Sequence, residues 1–146
     1  MIASRYDRNY TQYQLNRSCL RKLLRRYYLF ALSKWVNGRA IDFGCGVGEL
    51  FSYLPSGSVG LDINPATVAH CREKGLDVRH YDPVVDNYQF RFLDHNKYGT
   101  FILSHVLEHL AGADTVFRQI MLACRRLGIG RIILVVPMKK GYAHDP

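Results

Sequence analysis

The stretch Ala40-Ile41-Asp42-Phe43-Gly44-Cys45-Gly46-Val47-Gly48-Glu49-Leu50 decides how this chain folds. A short apolar run carries an acid near its end, breaks into three alternating glycines, and gives way to a helical pattern. Glycine lets the backbone turn tightly and lets a ligand lie against main-chain N–H groups where a helix begins. A glycine-rich turn between strand and helix therefore predicts a parallel α/β sheet and a nucleotide-like ligand. The dinucleotide fingerprint G-x-G-x-x-G fails, because Glu49 stands in the third glycine position counted from Gly44 and Phe51 in that position counted from Gly46. Asp42, two residues before the first glycine, would repel a pyrophosphate and attract an ammonium group.

On either side of this turn, strand-like and helical patterns alternate. Residues 39–43, 59–62, 77–80, 98–104 and 131–136 read as strands, the last being the run Arg-Ile-Ile-Leu-Val-Val stopped by Pro137. Residues 48–54, 65–74 and 113–127 read as helices, the second with Pro65 at its start. Strands alternating with helices imply right-handed crossovers and a Rossmann-like, doubly wound, mostly parallel sheet in three α/β/α layers. Residues 81–96 carry the turn signals Asp82-Pro83, Asp86-Asn87 and Asp94-His95-Asn96, which predict an irregular connection.

Before the first strand, Leu20, Leu23, Leu24, Tyr27, Tyr28, Ala31, Leu32 and Trp35 recur at helical spacing within residues 10–35, and Asn37-Gly38 ends the pattern. The chain thus divides into a basic helical segment, residues 1–38, and a Rossmann-like domain, residues 39–146. Of the net charge of +8, residues 1–40 hold all: nine Arg and Lys against Asp7 alone, 9 minus 1, while the 11 basic and 11 acidic residues that follow cancel. That asymmetry suggests an anionic contact, although a solvated helix face explains it as well. Cys19, Cys45, Cys71 and Cys124 show no CxxC spacing, so reduced thiols and a cytoplasmic location are expected. The apolar run at 27–32 is too short to span a bilayer.

The pattern Asp42-x-Gly44-x-Gly46-x-Gly48 resembles the first motif of class I S-adenosylmethionine-dependent methyltransferases. The resemblance implies that Gly44, Cys45, Gly46 and Gly48 lie against the methionine part of S-adenosylmethionine, with Asp42 acting on its amino group. Gly60-Leu61-Asp62-Ile63-Asn64 is similar to the family's second signal, which implies that Asp62 binds the ribose hydroxyls and Ile63 meets the adenine. Tyr81-Asp82 occupies the position where the family presents an acid or aromatic to the base, and a turn-forming Asp before Pro83 is the alternative there. Ser104-His105-Val106-Leu107-Glu108-His109 resembles the end of strand four in a large branch of the family, which implies that Ser104 and His105 border the methyl group. His105 is the candidate general base if the acceptor must lose a proton.

The same residues match H-x-x-E-H, but only Asp114, His144 and Asp145 remain downstream as ligands, so no metal is expected. Gly99 departs from the family, in which many members carry Asp just before strand four. The family's C-terminal antiparallel strands are also lacking after residue 137, which predicts a truncated chain or an oligomer covering the strand-five edge. The expected activity is methyl transfer to a small-molecule or lipid-linked acceptor, open to being anionic, with Tyr10, Tyr13 or the Arg residues of the basic segment meeting it. Nucleic acid is not favoured as a partner. A non-catalytic binding or regulatory module is the alternative, and a nicotinamide-dependent oxidoreductase the less favoured one.

Overall fold

A computed structural model of the chain describes residues 19–137. Helix α1 (Cys19–Ser33) leads into strand β1 (Ala40–Phe43), a 3-10 helix (Glu49–Tyr53), β2 (Val59–Asp62), α2 (Pro65–Glu73) and β3 (Val78–His80). Then come β4 (Thr100–Ser104), a 3-10 turn (Leu107–His109), α3 (Ala113–Arg126) and β5 (Arg131–Val135). The part of the expected first helix before residue 19, with Tyr10 and Tyr13, lies outside the described residues, as do residues 138–146.

The five strands form one sheet in the order β3-β2-β1-β4-β5, and every pairing is parallel. The chain runs outward from β1 through β2 to β3, then crosses back to β4 on the other side of β1. The strand order thus reverses between β1 and β4, where open α/β sheets form a crevice at the carboxyl ends of their strands. Among the described residues β5 is an edge strand, with Leu134 and Val136 exposed.

Side chains alternate across the sheet and build a core on each face. Ile41, Phe43, Val59, Leu61, Phe101 and Leu103 face α3, meeting its Val116, Ile120, Ala123 and Cys124. Ala40 and Ile102 face Leu29 and Leu32 of α1 together with Leu50, while Val78 meets Val68 and Cys71 of α2. These are the three layers expected of the sequence. The connection 81–98 adds an unforeseen aromatic core. Tyr81 stacks on Phe90 at 5.0 Å, and Phe90 meets Phe43 and Phe101 edge-on at 5.7 and 5.2 Å.

Gly99 has a steric reason. A Cβ there would lie 2.3 Å from the Asn37 carbonyl oxygen, a backbone atom that cannot swing aside. Next to it the buried Thr100 hydroxyl donates to that same carbonyl at 2.9 Å and accepts from Asn37 N–H at 2.8 Å, latching the α1–β1 connection onto β4.

Candidate cofactor site

Leaving β1, the backbone takes left-handed conformations at Gly44 (φ 74°), Gly46 (φ 54°) and Gly48 (φ 75°). At two of these a side chain also has no room. A Cβ on Gly44 would lie 2.5 Å from Val106 Cγ2, and one on Gly48 would lie 2.6 Å from Leu76 Cδ1.

The polar groups of this turn are engaged within the protein. Gly44 and Cys45 N–H donate to the Leu61 carbonyl at 2.7 and 3.2 Å, and Gly48 N–H donates to that of Cys45 at 3.1 Å. Gly46 N–H donates to Asp62 Oδ2 at 2.9 Å. The Gly46 carbonyl accepts from the Cys71 and Cys45 thiols at 3.4 and 3.7 Å. Burial, together with the charges of Asp42 and Asp62, pushes both thiols up, Cys71 to about 11, so they remain protonated donors. The expected cradle of main-chain N–H groups is therefore not what this turn presents. The element after it is a short 3-10 helix rather than an α-helix, and four of the loop's amides already have acceptors. Such a turn suits a ligand held by its shape and by carboxylates, and offers a pyrophosphate little.

Two carboxylates flank the turn. Asp42 is buried on the α1 face of β1, and none of the described residues donates a hydrogen bond to its side chain. Burial raises it to about 7; the charge of Asp62 adds to that and Arg25 opposes it. Asp62, at the end of β2, accepts from Gly46 N–H with one oxygen and from Asn64 N–H with the other, at 2.9 and 2.8 Å. Burial raises it too, while the two amides and His80 pull the other way. Each carboxylate oxygen keeps a second lone pair, so Asp62 can still accept from a diol. A buried acid lacking a donor next to a half-satisfied one fits a ligand with an ammonium group and vicinal hydroxyls. S-adenosylmethionine is such a ligand, and these residues fit it.

The other predicted residues fall on both sides of this centre. Ile63 follows Asp62 and is half-buried, its carbonyl accepting from His80 Nε2 at 3.0 Å. Tyr81 is engaged in the core: its ring packs on Phe43 and Phe90, and its hydroxyl donates to Asp86 at 2.9 Å. Asp82 Oδ1 accepts from Val84 N–H at 2.9 Å, the turn geometry that a residue before Pro83 suggests.

Across the switch point, the Ser104 and Tyr28 hydroxyls hydrogen-bond at 2.7 Å. Burial raises the Tyr28 phenol, keeping it neutral. His105 is held at φ 57° by its N–H donating to the Val135 carbonyl at 2.9 Å, a conformation that costs an L-residue about 1–2 kcal/mol. Its Nδ1 lies 3.3 Å from Oε1 of the buried Glu108. Glu108 sits in the single 3-10 turn Leu107–His109, which sets its carboxylate beside the imidazole. Arg25, one of the Arg residues expected to meet the acceptor, pairs with Glu49, whereas the sequence offers Tyr28 only as an apolar position of the helix. Their helical phase places them on the inner side of α1, and that was the available signal.

A family model described as a methyltransferase domain matches residues 41–132, which takes in β2, β3 and β4 whole, β1 from its second residue and the first two residues of β5. With the glycine turn and its two acids, this chain belongs to the S-adenosylmethionine-dependent methyltransferases of class I. Among solved structures it is similar to a SAM-dependent methyltransferase from Archaeoglobus fulgidus, at 25% identity and TM-score 0.52, covering 74% of this chain and 46% of that one. The fold is shared with a sugar N-methyltransferase from Streptoalloteichus sp., at 18% identity and TM-score 0.56 over 77% and 47% of the two chains. It is also shared with magnesium protoporphyrin IX methyltransferase from Synechocystis PCC 6803, solved with bound SAM, at 18% identity and TM-score 0.52 over 68% and 54%. The chain thus spans about half the length of these relatives. No curated protein matches it.

Proposed function

We propose that this chain binds S-adenosylmethionine at the glycine turn and transfers its methyl group to a small-molecule or lipid-linked acceptor at the carboxyl ends of β1 and β4. The observation that carries the reading is Asp42, an acid buried without a donor among the described residues, next to a turn whose own amides are already engaged.

When bound, the cofactor supplies a methyl group on a sulfonium, an activated leaving group. Asp42 attracts the cofactor's ammonium, and Asp62 takes its ribose hydroxyls while holding Gly46 in place. Ile63 and Asp82 lie where the base would extend, whereas Tyr81 supports that region from the core. Positioning is the main task of such a site and can contribute roughly 7–11 kcal/mol. For a hydroxyl acceptor, His105 takes the proton, with Glu108 fixing the imidazole and the Tyr28–Ser104 pair bordering the acceptor. The buried free thiols Cys45, Cys71 and Cys124 suit a reducing cytoplasm. Among the described residues no helix is long and apolar enough to cross a membrane.

Thermal shift with S-adenosylmethionine and with its demethylated product, followed by a methyl-release assay over candidate acceptors, tests this reading. Stabilisation by both ligands is expected. Absence of any shift favours a non-catalytic module, and stabilisation by NAD instead would favour hydride chemistry.

A further inference from the structure

Helix α1 is apolar on two sides, and the described residues cover only one of them. Its inner side sets Leu29 and Leu32 against Ala40, Leu50 and Ile102. Its outer side leaves Tyr27 75%, Leu23 64%, Leu24 62% and Phe30 47% exposed, and Trp35 just beyond the helix is 69% exposed. At 100° per residue Leu23, Tyr27 and Phe30 fall on one line, with Leu24 and Ala31 along its flank, and Lys34 and Trp35 follow in the turn that ends the helix. Contiguous apolar patches of this kind on a monomer mark interaction sites.

Among the described residues the charge bordering the patch has one sign. Arg26 and Lys34 are exposed, and the Lys34 ammonium lies 4.5 Å from the centre of the Phe30 ring. No Asp or Glu occurs between Asp7 and Asp42, while Arg21 and Lys22 add basic charge to the same helix. Leucines, a phenylalanine, a tyrosine and a tryptophan bordered by Arg and Lys form the composition of a helix that lies in the headgroup region of an anionic bilayer. A nucleic acid would be met by basic side chains with little use for Leu23 and Leu24, and a protein partner would not require charge of one sign.

We propose that the outer face of α1 docks this protein on anionic phospholipid membranes, with Leu23, Tyr27, Phe30 and Trp35 in the headgroup layer and Arg26 and Lys34 on lipid phosphates. The inner side of the same helix carries Tyr28 and Arg25 at the candidate site, so docking would turn that site's rim toward the membrane. The proposal stands independently of methyl transfer, since it requires neither cofactor nor turnover.

The chain has a single tryptophan, Trp35, and that side chain reports directly on the patch. The full chain is titrated with vesicles of phosphatidylcholine containing 30% phosphatidylserine, and with phosphatidylcholine alone, while its fluorescence and sedimentation are followed. A blue shift and co-sedimentation with the anionic vesicles, reversed by high salt, are expected. Each Arg or Lys at an anionic surface multiplies partitioning by about five. The double variant Arg26→Glu, Lys34→Glu therefore loses at least roughly 25-fold in affinity, and Leu23→Glu, Tyr27→Glu abolishes binding. These side chains point away from the core, and an unchanged circular dichroism spectrum verifies that the variants fold. The proposal is overturned by absence of binding, by equal binding to neutral vesicles, by a concentration-dependent Trp35 shift without lipid, which assigns the face to a second copy, or by binding to single-stranded RNA in place of vesicles.

Discussion

Replacing Asp42 by Asn keeps the size of the buried side chain and removes its charge. The carboxyl titrates near 7 in the folded protein against 3.8 ordinarily, because burial and the neighbouring Asp62 charge disfavour its ionised form. Between those two values the folded chain holds a proton that the unfolded chain has released. Stability therefore falls as pH rises from about 4 to about 7 and levels off above that. A shift of about 3 units at 1.36 kcal/mol each is worth up to about 4 kcal/mol. Without cofactor, Asp42→Asn should match the parent near pH 4 and exceed it by up to about 4 kcal/mol at pH 8. Urea unfolding of both proteins at pH 4.5, 6 and 8 measures this, and contributions from other titrating groups largely cancel in the difference. The same variant should lose affinity for S-adenosylmethionine, whose ammonium is the charge that the ionised acid awaits. A stability difference that does not change between pH 4.5 and 8 would mean that Asp42 does not hold a proton in the folded state, and an Asn variant that binds the cofactor undiminished would remove Asp42 from the site.

Further outcomes follow from single contacts. Gly99→Ala should destabilise the fold by about 1–3 kcal/mol, since its Cβ meets the Asn37 carbonyl, and a melting temperature equal to the parent's would contradict that. Gly44→Ala combines a left-handed backbone with overlap on Val106 and should lose about 2–5 kcal/mol together with cofactor binding, read by denaturation and calorimetry. For a hydroxyl acceptor, His105→Ala should lower kcat by about 10²–10⁴ at little change in cofactor affinity, with Glu108→Gln producing a smaller loss in the same direction. Equal losses in kcat and cofactor binding would mark both residues as structural.

Much of this fold is written locally. The runs at β1, β2 and β4 are short and apolar because parallel strands are covered on both faces, whereas the equally apolar β5 is partly exposed at the edge, and α2 and α3 end within a residue of where Pro65 and the apolar spacing place them. The first helix stops at Ser33, short of the Asn37-Gly38 signal, because 34–36 form turn hydrogen bonds and Gly38 takes the left-handed bend near the latch on Thr100. The connection 81–98 was legible as irregular through Asp86-Asn87, but its role in the core was not. Tyr88 and Phe90 are buried at positive φ, so no period of two or 3.6 exposes them.

At the site, Asp42, the glycines and Asp62 could be placed together because one crossover separates the two acids. That the turn's amides would be engaged could not be read, since three of the four find their acceptors in Leu61 and Asp62 on the neighbouring strand. Tyr81 was drawn into the core by Phe43 and Phe90, and Tyr28 reaches Ser104 from 76 residues away. Both contacts depend on layers meeting and have no sequence period of their own.

Calorimetric titration of the parent and of Asp62→Ala with S-adenosylmethionine at pH 7.5 shows whether the glycine turn and its acids hold the cofactor. A single saturable site is expected in the parent, with an affinity lower by roughly 10- to 150-fold in the variant, the worth of hydrogen bonds to a charged group. No binding by the folded parent, or equal affinity in both proteins, would contradict this expectation.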